Sequence, residues 1–203
     1  MNHKLIRCLI TIAIVSISLS LLQIRTAAAY PYDRLDGLGL NTSSPSIIVV
    51  GNMSVTYTYS ADHLNSKSHQ ILGDAIYEAS SLILRELDKL GIKYSSCSHK
   101  HNIGFYEVSI STLNNKAIFP KERYYPNGQI LYAVWEPMNS DLDIIVLSRS
   151  NNKRSFLGNV SHEVSHYWYN RLMLDKTSNF SHEEFAVYIE NIFVKNIRSV
   201  EYE

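Results

Sequence analysis

His162-Glu163-Val164-Ser165-His166-Tyr167-Trp168 is the stretch that decides how this 203-residue chain is read, with Glu183-Glu184 following downstream. On a helix, residues four apart leave the same face about one turn from each other, so the imidazoles of His162 and His166 can converge on one metal ion. Glu163 then lies beside that ion. A carboxylate there suits a general base that takes a proton from a zinc-bound water, whose pKa the metal lowers to about 7. Catalytic zinc usually keeps three protein ligands and leaves one position open, so a further His or carboxylate has to come from elsewhere in the chain.

The segment His162–Trp168, followed by Glu-Glu-Phe-Ala-Val-Tyr-Ile-Glu at 183–190, resembles the gluzincin metallopeptidases. The likeness is greatest to the aminopeptidase-N-like group, whose pattern runs HExxHxW and then WLxEGFAxYxE. The resemblance implies that His162, His166 and Glu183 bind a zinc ion (Zn2+) and that Glu163 is the general base. Phe180 stands where that group has Trp, while Phe185, Ala186, Tyr188 and Glu190 match directly. Glu184 replaces the Gly that follows the ligand, and the upstream GAMEN motif that captures a free amino terminus is absent, so aminopeptidase activity is not implied. The likeness covers residues 158–193. It implies a peptidase acting on a peptide or protein substrate, with an endopeptidase favoured because no motif for a free terminus is visible.

Local chemistry bears on which glutamate faces the metal. Ser181-x-x-Glu184 reads as a capping box in which the Glu184 side chain returns to the N-cap amide, leaving Glu183 free. Position 190 shares a helix face with 183, so Glu190 is either a partner for a ligand His or an exposed helix carboxylate. Trp168 and Tyr188 read as packing residues. His182, Tyr124, Tyr125 and Tyr132 are the candidates to stabilise a developing oxyanion.

Upstream, residues 1–29 read as a signal peptide: Lys4 and Arg7, an apolar run from Leu9 to Leu22, and Ala27-Ala28-Ala29 before Tyr30. That apolar run falls short of the ~20 residues that span a bilayer, so no stable membrane anchor is expected and the protein reads as secreted or periplasmic. Without Lys4, Arg7 and Arg25 the 19 basic residues become 16 against 19 acidic, a charge of −3 that gives no reason to expect nucleic acid. Cys97 is then the sole cysteine, and an internal disulfide is impossible. Cys97, His99 and His101 are too closely spaced to form a second metal site and read as a loop or strand end.

Residues 30–45, rich in Pro, Gly, Asp and Ser, read as a flexible segment, and 46–203 as one zincin-like domain. Strands are expected at 46–50 and 54–59 around Gly51-Asn52, then at 92–94, 105–110, 129–135 and 143–147, with Pro126-Asn127-Gly128 as a turn. A long helix over 66–90 carries the stripe Ile71, Leu72, Ala75, Ile76, Ala79, Leu82, Ile83, Leu87 and Leu90 and ends at Gly91. The metal helix should start near Gly158 and run toward Leu172, and a last helix should run from His182 to about Ser199. The fold class is therefore α+β: a mixed β-sheet backed by a long helix, followed by the HExxH helix and a glutamate-bearing C-terminal helix. Within the resemblance, an edge strand near Gln129–Glu136 would take substrate by β-addition. The competing functional reading is an exported binding module in which the zinc site is structural or vestigial.

Overall fold

The computed structural model describes residues 35, 37–94, 101–115, 118–119, 130–138, 142–150 and 152–197. The signal-peptide reading, Cys97, His99, Tyr124, Tyr125 and the turn at 126–128 lie outside these residues. The chain divides into two compact units, Met1–Leu38 and Gly39–Glu203, and the architecture below is that of the second. It is α+β, with one mixed sheet and several helices.

Alternation builds the sheet's first half. In β3 (Met53–Ala61) Met53, Val55, Tyr57, Tyr59 and Ala61 are buried while Ser54 is exposed, the period-two pattern of a strand with one covered face. β2 (Ser46–Val50) folds back on it through the two-residue Gly51-Asn52 loop. Beside the other end of β3 lies β1 (Asn41–Thr42), paired with Ala61 and Ser60. This short polar strand falls in the segment expected to be irregular. Its side chains are exposed, so it is held by ladder bonds and by the Thr42–Ser60 hydroxyl contact at 2.9 Å, neither of which hydropathy can signal.

β4 (His101–Val108) runs parallel to β3, and β6 (Leu142–Ser148) runs parallel to β4. β5 (Ala133–Pro137) lies antiparallel to β6 and forms the sheet's far edge. The expected 105–110 strand thus starts earlier and stops at Val108. Ser109 caps a short helix α2 (Ile110–Leu113), its side chain accepting from the Thr112 amide at 3.1 Å, which takes Ile110 out of the sheet.

Helix α1 (Ser66–Lys89) buries its predicted stripe on the sheet from Leu72 to Leu87, starting from a capping box between Asn65 and Ser68; Ile71 is partly buried, and Leu90, the C-cap where the helix turns away, is exposed. The strand expected at 92–94 is absent. Gly91, at φ 64°, instead closes a Schellman motif in which the Gly91 amide donates to Asp88 and the Ile92 amide to Leu87. Ile92 is the hydrophobic residue that follows such a cap, and its apolar character belongs to the helix end.

α3 (Lys153–Arg171) carries the HExxH sequence and begins five residues before its expected start at Gly158, capped by the Asn152 side chain on the Ser155 amide. It is covered on nearly every side, from Leu157 and Gly158 through Val160, Ser161, Val164 and Ser165 to Trp168 and Tyr169. Its serines satisfy themselves internally: Ser161 donates to the Gly158 carbonyl at 2.8 Å and Ser165 to the Ser161 carbonyl at 2.6 Å. Arg171 at its end donates to both oxygens of Asp143, which is fully buried at the start of β6. Burial pushes the Asp143 carboxyl up, with the guanidinium opposing. A left-handed Met173 and a 3-10 turn at Leu174–Lys176 then lead to α4 (His182–Asn196), which packs on α3. No helix among the described residues is long and apolar enough to cross a membrane.

Candidate metal centre

α3 supplies two imidazoles and α4 brings a carboxylate to them. The Nε2 atoms of His162 and His166 lie 3.1 Å apart. Glu183 places Oε1 3.6 Å from the first and Oε2 3.4 Å from the second. One ligand atom from each residue falls within 4.8 Å of the others. Four ligands at ~2.0–2.2 Å in a tetrahedron stand about 3.3–3.6 Å from each other, and the separations of 3.1, 3.4 and 3.6 Å here are close to that, so this donor set could hold one zinc ion. Two histidine nitrogens and one carboxylate also make a chemically suitable set.

The α4 start explains why Glu183 is the residue presented. Ser181 is the N-cap: its hydroxyl accepts from the Glu184 amide at 3.3 Å, and Glu184 Oε2 accepts from the Ser181 amide at 2.8 Å. Glu184 is thereby turned back on the helix start. Those Ser181 contacts, led by its backbone amide, hold the Glu184 carboxyl below its usual range.

Two turns on, Glu190 Oε2 accepts from His162 Nδ1 at 2.9 Å. A proton on Nδ1 fixes the tautomer and leaves the Nε2 lone pair facing Glu183 and His166. Burial works against a charged His162 ring, but the Glu190 hydrogen bond and the fields of Glu163, Glu183 and Glu190 outweigh it and raise its pKa. His166 moves the opposite way: burial first, then the charges of His162 and His182, lower it against the pull of Glu183. Among the described residues its Nδ1 has no hydrogen-bond partner.

Glu163 is buried, and burial first of all pushes its carboxyl up to about 8, with the His162 charge pulling the other way. It accepts a hydrogen bond from the backbone amide of Trp135 in β5. β5 pairs with β6 on one side, so this amide lies on its other edge, which has no partner strand among the described residues and is turned to α3. The Trp135 ring lies over His166, with centroids 6.0 Å apart and 24° between planes, and meets His182 edge-on at 5.1 Å.

His182 is packed among Trp135, His166 and Tyr169, with Nε2 3.1 Å from the His166 carbonyl, so it fixes the end of the HExxH turn. Trp168 lies away from the donors, its indole N–H on the Ser80 hydroxyl at 2.8 Å. Tyr188 reaches Glu86 on α1 at 3.0 Å. Tyr132, just ahead of β5, is half exposed and lines a cavity of about 670 Å³ beside the centre, with Arg149, Arg154, Gly158, Asn159 and Glu190.

Two contributions to this centre were not visible in the sequence. The Trp135 amide is backbone, which no residue pattern announces. Gly158 lets α4 approach, since a Cβ there would stand 3.2 Å from Val194 Cγ2 and 3.4 Å from Glu190 Oε1. The four-residue interval back from His162 was its only available signal. Comparison with protein-family models gives no match to this chain, and comparison with curated proteins gives none either.

Proposed function

We propose that this chain is a zinc-dependent metallopeptidase of gluzincin type with a zincin-like domain, exported from the cell and cleaving within peptide chains. The observation that carries the reading is the convergence of His162 Nε2, His166 Nε2 and the Glu183 carboxylate at tetrahedral spacing, with Glu163 buried beside them. Zinc held there would supply Lewis acidity, activating water and polarising the scissile carbonyl.

The remaining work falls to the chain's own groups. Ionised Glu163, which burial alone opposes and the charge of zinc would favour, would take a proton from the attacking water and pass it to the leaving amine, while the Trp135 amide keeps the carboxylate oriented. Glu190 holds His162 in one tautomer and one ring orientation. Among the described residues no strand pairs with the β5 edge that faces away from β6; with the Trp135 amide taken by Glu163, the remaining outward backbone groups of that edge would meet an extended substrate by β-addition. Glu163 itself is buried, and the half-buried Trp135–His166 stack lies beside it, which limits the access of bulk water to the general base.

The test compares the protein with Glu163→Gln and Glu183→Ala, measuring bound zinc and hydrolysis of a broad peptide library. Glu163→Gln should keep its zinc and lose hydrolysis by about 10²-fold or more, and Glu183→Ala should lose zinc. Full activity in Glu163→Gln would refute the mechanism. Tight zinc with no hydrolysis by the unaltered chain would replace it with a binding module.

A further inference from the structure

The cavity beside the metal centre sits at the end of β5 where the strand begins. Tyr132 lines it, Ala133 pairs with Leu147 of β6, and Ser148, Arg149 and Ser150 continue around the wall to the start of α3. Its opposite wall is the first two turns of α3 and the last turns of α4.

Two guanidinium groups reach this cavity, and they differ in what already holds them. Arg149 is paired with Asp62, and its Nε lies 3.8 Å from buried Glu107. Its charge is met from within the fold. Arg154 is exposed and makes one hydrogen bond, to the Val194 carbonyl at 3.3 Å, and no carboxylate pairs with it among the described residues. A guanidinium carries five N–H donors in a planar fork that fits a carboxylate. Glu190, the acid on the same wall, is occupied by His162.

Substrate polarity follows from β5. Antiparallel pairing is the more stable ladder, so a peptide added to the free edge runs against β5. Its carboxyl-terminal side then leads toward Tyr132 and the cavity. Arg154 lies eight residues before His162 on one helix, about 12 Å along the axis. An extended chain covers that distance in three to four residues at ~3.4 Å each.

Resting on the peptidase reading above, we propose that Arg154 is a specificity determinant selecting a carboxylate three to four residues beyond the cleaved bond, on its carboxyl-terminal side. An Asp or Glu side chain and a free chain terminus share that chemistry.

The experiment profiles cleavage of a defined peptide library, each peptide made as free acid and as C-terminal amide, by the full chain, Arg154→Gln and Arg154→Glu. Asp and Glu should be enriched about fivefold at those positions over Asn and Gln. The preference should vanish in Arg154→Gln and turn toward Lys and Arg in Arg154→Glu, an inversion that misfolding cannot produce. If the terminus is what is read, amidation abolishes the preference; if the side chain is, amidation leaves it. An identical profile in all three proteins overturns the assignment. Should the unaltered chain cleave nothing, the peptidase reading fails separately. Binding of labelled octaglutamate against octaglutamine to zinc-loaded protein, by fluorescence anisotropy, then decides the role of Arg154. A preference of about fivefold that Arg154→Gln removes upholds it, and equal binding overturns it.

Discussion

Glu190 gives the most direct test of the proposed metal centre, because it touches a proposed ligand, His162, without being one. Its carboxylate accepts from His162 Nδ1 at 2.9 Å, with 36 % of the Glu190 side chain and 18 % of the His162 side chain exposed. A hydrogen bond to a charged group is worth about 1.5–3 kcal/mol, and partial exposure trims this toward the surface-pair range, leaving about 1–2 kcal/mol. At about 1.4 kcal/mol per decade, Glu190→Ala should weaken zinc roughly 5–30-fold. Glu190→Gln keeps an acceptor and loses the charge, so its loss should be smaller, about 2–5-fold. Competition against a chromophoric chelator gives the affinities. Thermal unfolding with zinc and with chelator separates metal loss from general damage, since only the zinc-loaded form should lose stability markedly. Unchanged zinc affinity in Glu190→Ala would show that the contact does not orient the ligand, and the assignment of Glu190 would fall.

Gly158→Ala should disturb the same contact from the other side: its Cβ would crowd Val194 and Glu190, so a stability loss of about 1–3 kcal/mol by denaturant unfolding should accompany weaker zinc binding. Undiminished stability would mean that the helices separate at no cost. Glu86 gives a pH signature away from the metal. Its carboxyl is lowered, first by the Lys89 hydrogen bond at 2.6 Å and, against burial, also by Tyr188. A lowered acid stabilises fully above its ordinary value of 4.5 and loses that contribution as pH falls through the folded value. Glu86→Gln should therefore be about 1 kcal/mol less stable at neutral pH, with the gap closing below about pH 4. A pH-independent gap in melting temperature would contradict this.

What could be read from the sequence follows where burial is one-sided. β3 and α1 each cover a single face, and Val55-Thr56-Tyr57 alternation and the Leu72-to-Leu87 stripe report that directly. α3 is sandwiched between α1, the sheet edge and α4, so no stripe marks its first turns, and its true start rests on the Asn152 side chain. Ile92 misled because an apolar residue after a helix resembles a strand's beginning when the cap geometry is unseen. The donor residues were legible for a different reason: their spacing is set by the helix repeat alone, whatever surrounds them.

That repeat also explains why α4 serves the centre twice. Glu183 and Glu190 are seven residues apart, close to two turns, so both carboxylates leave one face of α4. His162 stands against that face with one ring nitrogen toward each: Nε2 is 3.6 Å from Glu183, and Nδ1 is 2.9 Å from Glu190. The proposed ligand Glu183 and the group that would orient the second, His162, are thus fixed by one helix phase. The Ser181–Glu184 capping box sets where that helix begins. One residue inserted between 183 and 190 would turn Glu190 by about 100° and uncouple it from His162, even with both His and Glu183 in place. The HExxH residues therefore define a pair of imidazoles, and the cap and phase of α4 bring to that pair the two carboxylates the proposed centre requires.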